Sequence, residues 1–239
     1  MLGEFLNSEY NNAGELYGLD AVKLSRIAHS ASPIEKAQII KKIAQQGQVQ
    51  SSRGSRKDME KHFGVLPNHI KDELSKGNLR LSDYTIYSIK PINSKTIKMF
   101  EPQDDKEVGV RNISNAKLPK NMVMVVSGIF LLTGANTDVN NSEARKAIKF
   151  QSVSTVDAIT NGEFSFKANR KQLIPENQAI RCFATDNNNT LPMGYYPLDN
   201  PRLVNDDELI EFTIELGTQF KIPENQWLYV GLVGTVTTP

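Results

Sequence analysis

In Leu209-Ile210-Glu211-Phe212-Thr213-Ile214-Glu215-Leu216, every second residue from Ile210 onward is apolar, and Glu211, Thr213 and Glu215 fall between them. Successive side chains on extended backbone point to opposite sides, so this order predicts a strand with one buried face and one wet face. Shorter runs of the same kind lie upstream. Tyr84–Ile89, Thr96–Phe100 and Val108–Ile113 alternate and are rich in β-branched and aromatic residues, and Met122–Thr133 is apolar on both faces and therefore central. Ala147–Val153 follows, then Phe164–Phe166 after an Asn161-Gly162 hairpin signal, then Ala179–Thr185. A loop rich in Pro, Gly and Asn runs through Arg202, and Trp227–Val236 closes the series after the 209–216 strand.

About nine or ten short strands with no helical pattern between them exclude βαβ architectures, which need crossovers of helix length. The expected fold is mainly β, an antiparallel β-sandwich over residues 83–239, with a jelly roll as the favoured version.

One phrase recurs three times: Leu118-Pro119-Lys120-Asn121-Met122, Ile174-Pro175-Glu176-Asn177-Gln178 and Ile222-Pro223-Glu224-Asn225-Gln226. Proline fixes φ near −65° and Asn tolerates positive φ, so each copy reads as a type I turn opening into a strand. The copies are too far apart for one supersecondary unit per repeat, so the recurrence is turn chemistry reused within one β-domain.

The N-terminal third has a different character. Residues 1–19 show no steady period and read as an extended arm. Residues 20–82 read as a small, basic helical region with a flexible joint at 45–56. Ser32-Pro33-Ile34-Glu35 starts one helix, and two shorter ones are expected over Ser55–Phe63 and from Asn68, as N-cap, to Lys76, closed by Gly77. Residues 21–80 hold twelve Lys or Arg against five acids, a net +7 in a chain whose total is +1. That asymmetry points to an anionic neighbour, or to solvated helix faces.

Several function classes lose support here. One cysteine, Cys182, rules out an intramolecular disulfide framework. The opening six residues have no basic n-region, so no signal peptide is expected, and the longest apolar run falls short of a membrane span. His62 and His69 stand seven apart across a turn, which is not a metal-ligand spacing, and no cysteine accompanies them. Asp186-Asn187-Asn188-Asn189 offers oxygens for Ca²⁺ but matches no EF-hand, and a solvated loop is the plainer reading. Neither cofactor nor metal is assigned, and no enzyme activity is expected.

Two groups remain as candidate interaction residues. Arg53, Arg56 and Lys57 could hold nucleic-acid phosphate without reading sequence, although a linker explains them as well. Tyr195 and Tyr196, in an aromatic loop, could meet a sugar or a protein.

The segment Lys95–Thr133, with Asn112-Ile113 before Leu118-Pro119-Lys120-Asn121, together with Gly194-Tyr195-Tyr196 and the terminal strand to Val236, resembles the jelly-roll structural proteins of bacteriophage particles. The resemblance covers residues 83–239 and is one of pattern. It implies a non-enzymatic virion component made in the host cytoplasm. Such a subunit would form homo-oligomers, a trimer being expected, and would contact other virion proteins while its basic helices face a neighbour or the particle interior. The alternative is a carbohydrate- or receptor-binding adhesion module using Tyr195 and Tyr196. A hydrolase built on the sandwich is a weaker third reading.

Overall fold

Nine strands form among the described residues, 55–137, 142–185 and 191–239 of this computed structural model. They are β1 (Arg80–Pro91), β2 (Thr96–Lys98), β3 (Met124–Ala135), β4 (Gln151–Ser152), β5 (Glu163–Ala168), β6 (Lys171–Ala179), β7 (Tyr195–Val204), β8 (Ile210–Glu215) and β9 (Gln226–Thr238). One sheet runs β1-β9-β3-β4, with β7 also paired to β3, and the second runs β2-β8-β5-β6. The pairs β2/β8, β3/β4, β3/β7, β5/β6 and β5/β8 are all antiparallel. The chain is therefore mainly β with antiparallel sheets, as the alternation predicts. The described residues divide into two compact units, one of residues up to Asp83 with Thr235–Pro239, the other of Tyr84–Gly234.

The alternation in Leu209–Leu216 does what its period demands. Ile210, Phe212 and Ile214 of β8 are fully buried, and Phe164, Phe166 and Ala168 of β5 come from the same side of the second sheet. Their rings form a chain: Phe166 lies 6.1 Å from Phe212, Phe212 stacks on Phe164 at 5.4 Å, and Phe164 meets Phe183 at 5.1 Å. Phe183 then touches Tyr196 of the first sheet edge-on at 5.7 Å. Each such pair is worth about 0.5–1.5 kcal/mol beyond the area it buries.

The repeated phrase keeps its backbone chemistry in every copy, since Asn121, Asn177 and Asn225 all take positive φ, from 56° to 67°. In the first copy Met122 N donates to Pro119 O, which puts Asn121 third in the turn. Positive φ there belongs to type II geometry, so the expected type I turn is corrected. The first and third copies precede β3 and β9, as strand entries should. The second does not. It lies inside β6, where Phe164 pairs with Gln178 and Phe166 with Ile174, so Pro175–Asn177 bulge opposite Ser165. A proline with no N–H to donate is tolerated in a bulge on an edge strand.

Other strand expectations fail for local reasons. Val108–Ile113 makes only isolated bridges, because Gly109 (φ 84°) turns the chain and Val110 N returns to Glu107 O. Ala147–Val153 keeps two strand residues before Ser152, whose hydroxyl accepts from Ser154 N, caps a 3₁₀ turn over Val153–Thr155. Ala179–Thr185 folds as the 3₁₀ helix Ile180–Phe183 instead. Asn161-Gly162 is no hairpin. It ends a short helix, Asp157–Thr160, and a Cβ on Gly162 would stand 2.3 Å from Glu215 O, a close approach only glycine allows. The true two-residue hairpin is Asn169-Arg170, both at positive φ, between Ala168 and Lys171.

In the first unit, α1 (Ser55–His62) and α2 (Asn68–Ser75) match the expected short helices within a residue at most ends. Pro67 occupies the N-cap position of α2 and Asn68 is already helical, so the predicted Asn cap is corrected. Met59, Phe63, Leu66, Ile70 and Leu74 are buried. The C-terminus of α2 is a Schellman motif: Gly77 N donates to Leu74 O and Asn78 N to Glu73 O, with Gly77 at φ 76°. Gly77→Ala is therefore expected to cost about 1–2 kcal/mol, the left-handed penalty of a Cβ. Urea unfolding should show a lower midpoint with unchanged slope. The expected arm at 1–19, the helix started at Ser32 and residues 45–54 of the joint expected at 45–56 lie outside the described residues, while Ser55 and Arg56 are helical, in the first turn of α1.

Candidate functional site

Strand alternation sorts the first sheet into two faces. Ile86, Ser88, Ile129, Leu131, Leu228, Val230 and Leu232 are fully buried, and their alternate neighbours Tyr87, Phe130 and Tyr229 are half-buried on the opposite face. Register settles the two candidate tyrosines. Tyr195 pairs with Phe130 and Tyr196 with Ile129, so these consecutive residues start β7 and point to opposite faces. Tyr196 goes inward to Phe183, and Tyr195 lies outward, its ring 4.8 Å from that of Phe130. The two do not form one platform.

The outward face is aromatic along its length. Tyr87 stacks on Tyr229 at 6.0 Å, and Phe150 tilts against Tyr229 at 5.5 Å. Beside them on the same face, Ile89 and Trp227 make a buried cluster with Val110 and Ile148, against which Phe150 and Tyr229 pack. Two strand glycines let side chains of this layer approach the backbone closely. A Cβ on Gly128 would stand 2.0 Å from the Tyr195 hydroxyl, and one on Gly134 would stand 2.5 Å from Ile148. Burial pushes the Tyr195 and Tyr229 phenols above their ordinary range. Tyr196 is raised too, by burial first and then by the nearby Cys182 and Asp199. Burial likewise pushes the Cys182 thiol up to about 12, so at neutral pH it carries almost no reactive thiolate.

A second feature opens at the end of the first sheet, where β1 hands over to β2. It is a cleft of about 610 Å³ lined by Lys90, Lys98, Glu101, Asp104, Arg111 and Arg145 over a floor that includes Trp227. Asp104 receives Lys90 Nζ at 2.7 Å and Arg111 Nη1 at 2.6 Å, and Lys90 also reaches Glu101. The side chains of Lys90, Asp104 and Arg111 are only 12–15% exposed, so their charges are held in reduced solvent. These two acids and two bases match one another. Lys98 and Arg145 have no ion pair among the described residues, which leaves the cleft with two uncompensated cations. The Nε–H groups of Arg111 and Arg145 are buried without an acceptor. Each such orphan donor costs about 1–3 kcal/mol.

The structure places the remaining sequence candidates as follows. Arg53 lies outside the described residues, as does the Asp186–Asn189 loop; Arg56 and Lys57 fall in the first turn of α1. The His62 ring bonds the Asp58 carbonyl at 2.7 Å within its own helix. Asn112 is structural, its amide bonded to the edge of β1. Sequence reasoning missed the cleft. Its charged residues come from β1, β2, the loop after β2 and a short helix at Ser142–Lys146, so no single stretch of sequence announces it. Among the described residues no helix is long and apolar enough to cross a membrane. No family model matches the chain, and no curated protein matches it.

Proposed function

We propose that the chain is a non-enzymatic structural component of a bacteriophage particle, a jelly-roll β-sandwich that assembles with copies of itself. The observation that carries this reading is the nesting of strand pairs: β1 with β9, β2 with β8, β3 with β7, and β5 with β6. With the two-residue β4 set aside, the orders 1-9-3-7 and 2-8-5-6 are those left by one long hairpin rolled on itself. That order supports the jelly roll, a sandwich of two Greek keys found in viral shell and lectin domains. Phe183, in contact with rings of both sheets, supports face-to-face packing. The outward aromatic residues Phe130, Tyr195 and Tyr229 support self-association, because half-buried aromatic residues are what interface centres favour. In this reading the basic segment with Arg53, Arg56 and Lys57 contacts neighbouring subunits or packaged nucleic acid.

Light scattering of the full chain is expected to give a trimer, and Phe130→Glu is expected to shift it to monomer while the circular dichroism spectrum stays unchanged. A wild-type protein that remains monomeric at about 1 mM, where even weak contacts populate, would sink the proposal. One observation favours an adhesion module as second reading: the outward Tyr195 ring sits beside Phe130 as a surface on which a sugar could stack. Glycan binding lost in Tyr195→Ala and kept in Tyr196→Ala would select it.

A further inference from the structure

The geometry points to a phosphate-binding site in the cleft between the end of β1 and β2, fitted to a small phosphomonoester. Three features combine there. The first is charge: Lys90 and Arg111 are already matched by Glu101 and Asp104, so Lys98 and Arg145 supply two positive charges with nothing opposite them in the cleft. A phosphomonoester near neutral pH carries close to two negative charges, and guanidinium donors match phosphate oxygens in pairs. The second is unsatisfied chemistry. Buried Nε–H groups on both arginines lack an acceptor, and an oxyanion entering the cleft is the partner that such donors favour. The third is size and lining. About 610 Å³ exceeds what a free phosphate needs, and Asn93, Ser94 and Thr96 add groups that can bond hydroxyls of an attached sugar.

The matched quartet has its own part in this arrangement. Asp104 Oδ2 also accepts from Glu101 N at 3.2 Å, so the acid that holds Lys90 and Arg111 is itself fixed to the backbone of the loop. The arginine beside the ligand is thereby oriented before the ligand arrives, which lowers the ordering cost of binding. This inference is independent of particle assembly, because every residue it uses lies in the Tyr84–Gly234 unit of a single chain.

The chain has a single tryptophan, Trp227, which lines the cleft, so its fluorescence reports occupancy. Titration of the full protein with ribose 5-phosphate is expected to change that fluorescence with submillimolar affinity, and with inorganic phosphate more weakly. Arg145→Gln should weaken ribose 5-phosphate binding about tenfold and Lys98→Gln about threefold. Lys98 is exposed, so Lys98→Gln is expected to melt with the parent, and Arg145→Gln, which removes a buried unpaired Nε–H, is expected to melt no lower than the parent. Glucuronate, with one negative charge, should bind more weakly than either phosphate. No response to ribose 5-phosphate at about 10 mM, equal affinity for glucuronate, or an Arg145→Gln protein that binds like the parent each overturns the assignment.

Discussion

Phe212→Ala is expected to destabilise the protein by about 3–5 kcal/mol, the usual cost of removing a fully buried phenyl ring. Its position explains why the upper half of that range applies. The ring is fully buried in β8, stacks on Phe164 and lies 6.1 Å from Phe166. β8 is hydrogen-bonded between β2 and β5, and Phe212 O accepts from Met99 N at 2.9 Å, so the backbone has little room to collapse into the space. Domains of this kind are stable by about 5–15 kcal/mol in total. The variant should therefore unfold at a much lower urea concentration, and Phe212→Leu, which keeps most of the volume, should lose less than half as much. Equal losses for the two substitutions would mean that ring packing is not what holds this sheet.

Asn112→Ala is the second large effect, expected at about 2–3 kcal/mol from three lost hydrogen bonds and the peptide groups left unpaired. The Asn112 amide acts as a piece of strand. Its Oδ1 accepts from Tyr87 N at 2.9 Å, and its Nδ2 donates to Thr85 O at 2.7 Å and to the Tyr84 hydroxyl at 3.2 Å. Two residues away, Ile89 N donates to Val110 O, so the 110–112 loop covers the edge of β1 from Thr85 to Ile89. Asn112→Asp tests the mechanism directly. It keeps the shape but turns an acceptor toward Thr85 O, and it should cost at least as much as the alanine. An Asp variant as stable as the parent would show that the amide does not pair with the strand. A bare strand edge invites pairing with other chains, so both variants should also aggregate faster on heating.

Legibility in the sequence followed where each segment finds its hydrogen bonds. β1, β3, β8 and β9 and the two helices at Ser55–Ser75 were readable because periodicity, caps and glycines act locally. The left-handed Asn in all three copies of the repeated phrase was readable for the same reason. β7 was not, since Pro197, Asp199, Asn200 and Pro201 are loop chemistry. It becomes a strand only because β3 offers it an edge. Even there, four residues, Leu198 to Pro201, bulge opposite Ser127 to keep the pairing. β6 repeats the lesson with Pro175. In both cases tertiary position overrode local preference. The opposite failure befell Ala179–Thr185, whose apolar residues serve as a plug: Ile180 and Phe183 are buried from a 3₁₀ turn. The cleft was invisible for a third reason. Its ion quartet joins residues up to 21 positions apart, and no spacing rule announces such a convergence.

The place of β9 between β1 and β3 also bears on how the chain matures as it leaves the ribosome. The β5–β6 hairpin needs only its own two-residue turn and can close while translation continues. The other sheet has a gap at its centre until the last thirteen-residue strand has been synthesised. Until then, β1 and β3 each expose to solvent the side that β9 will fill, which is the interval in which a nascent copy is most open to a chaperone or to a wrong neighbour.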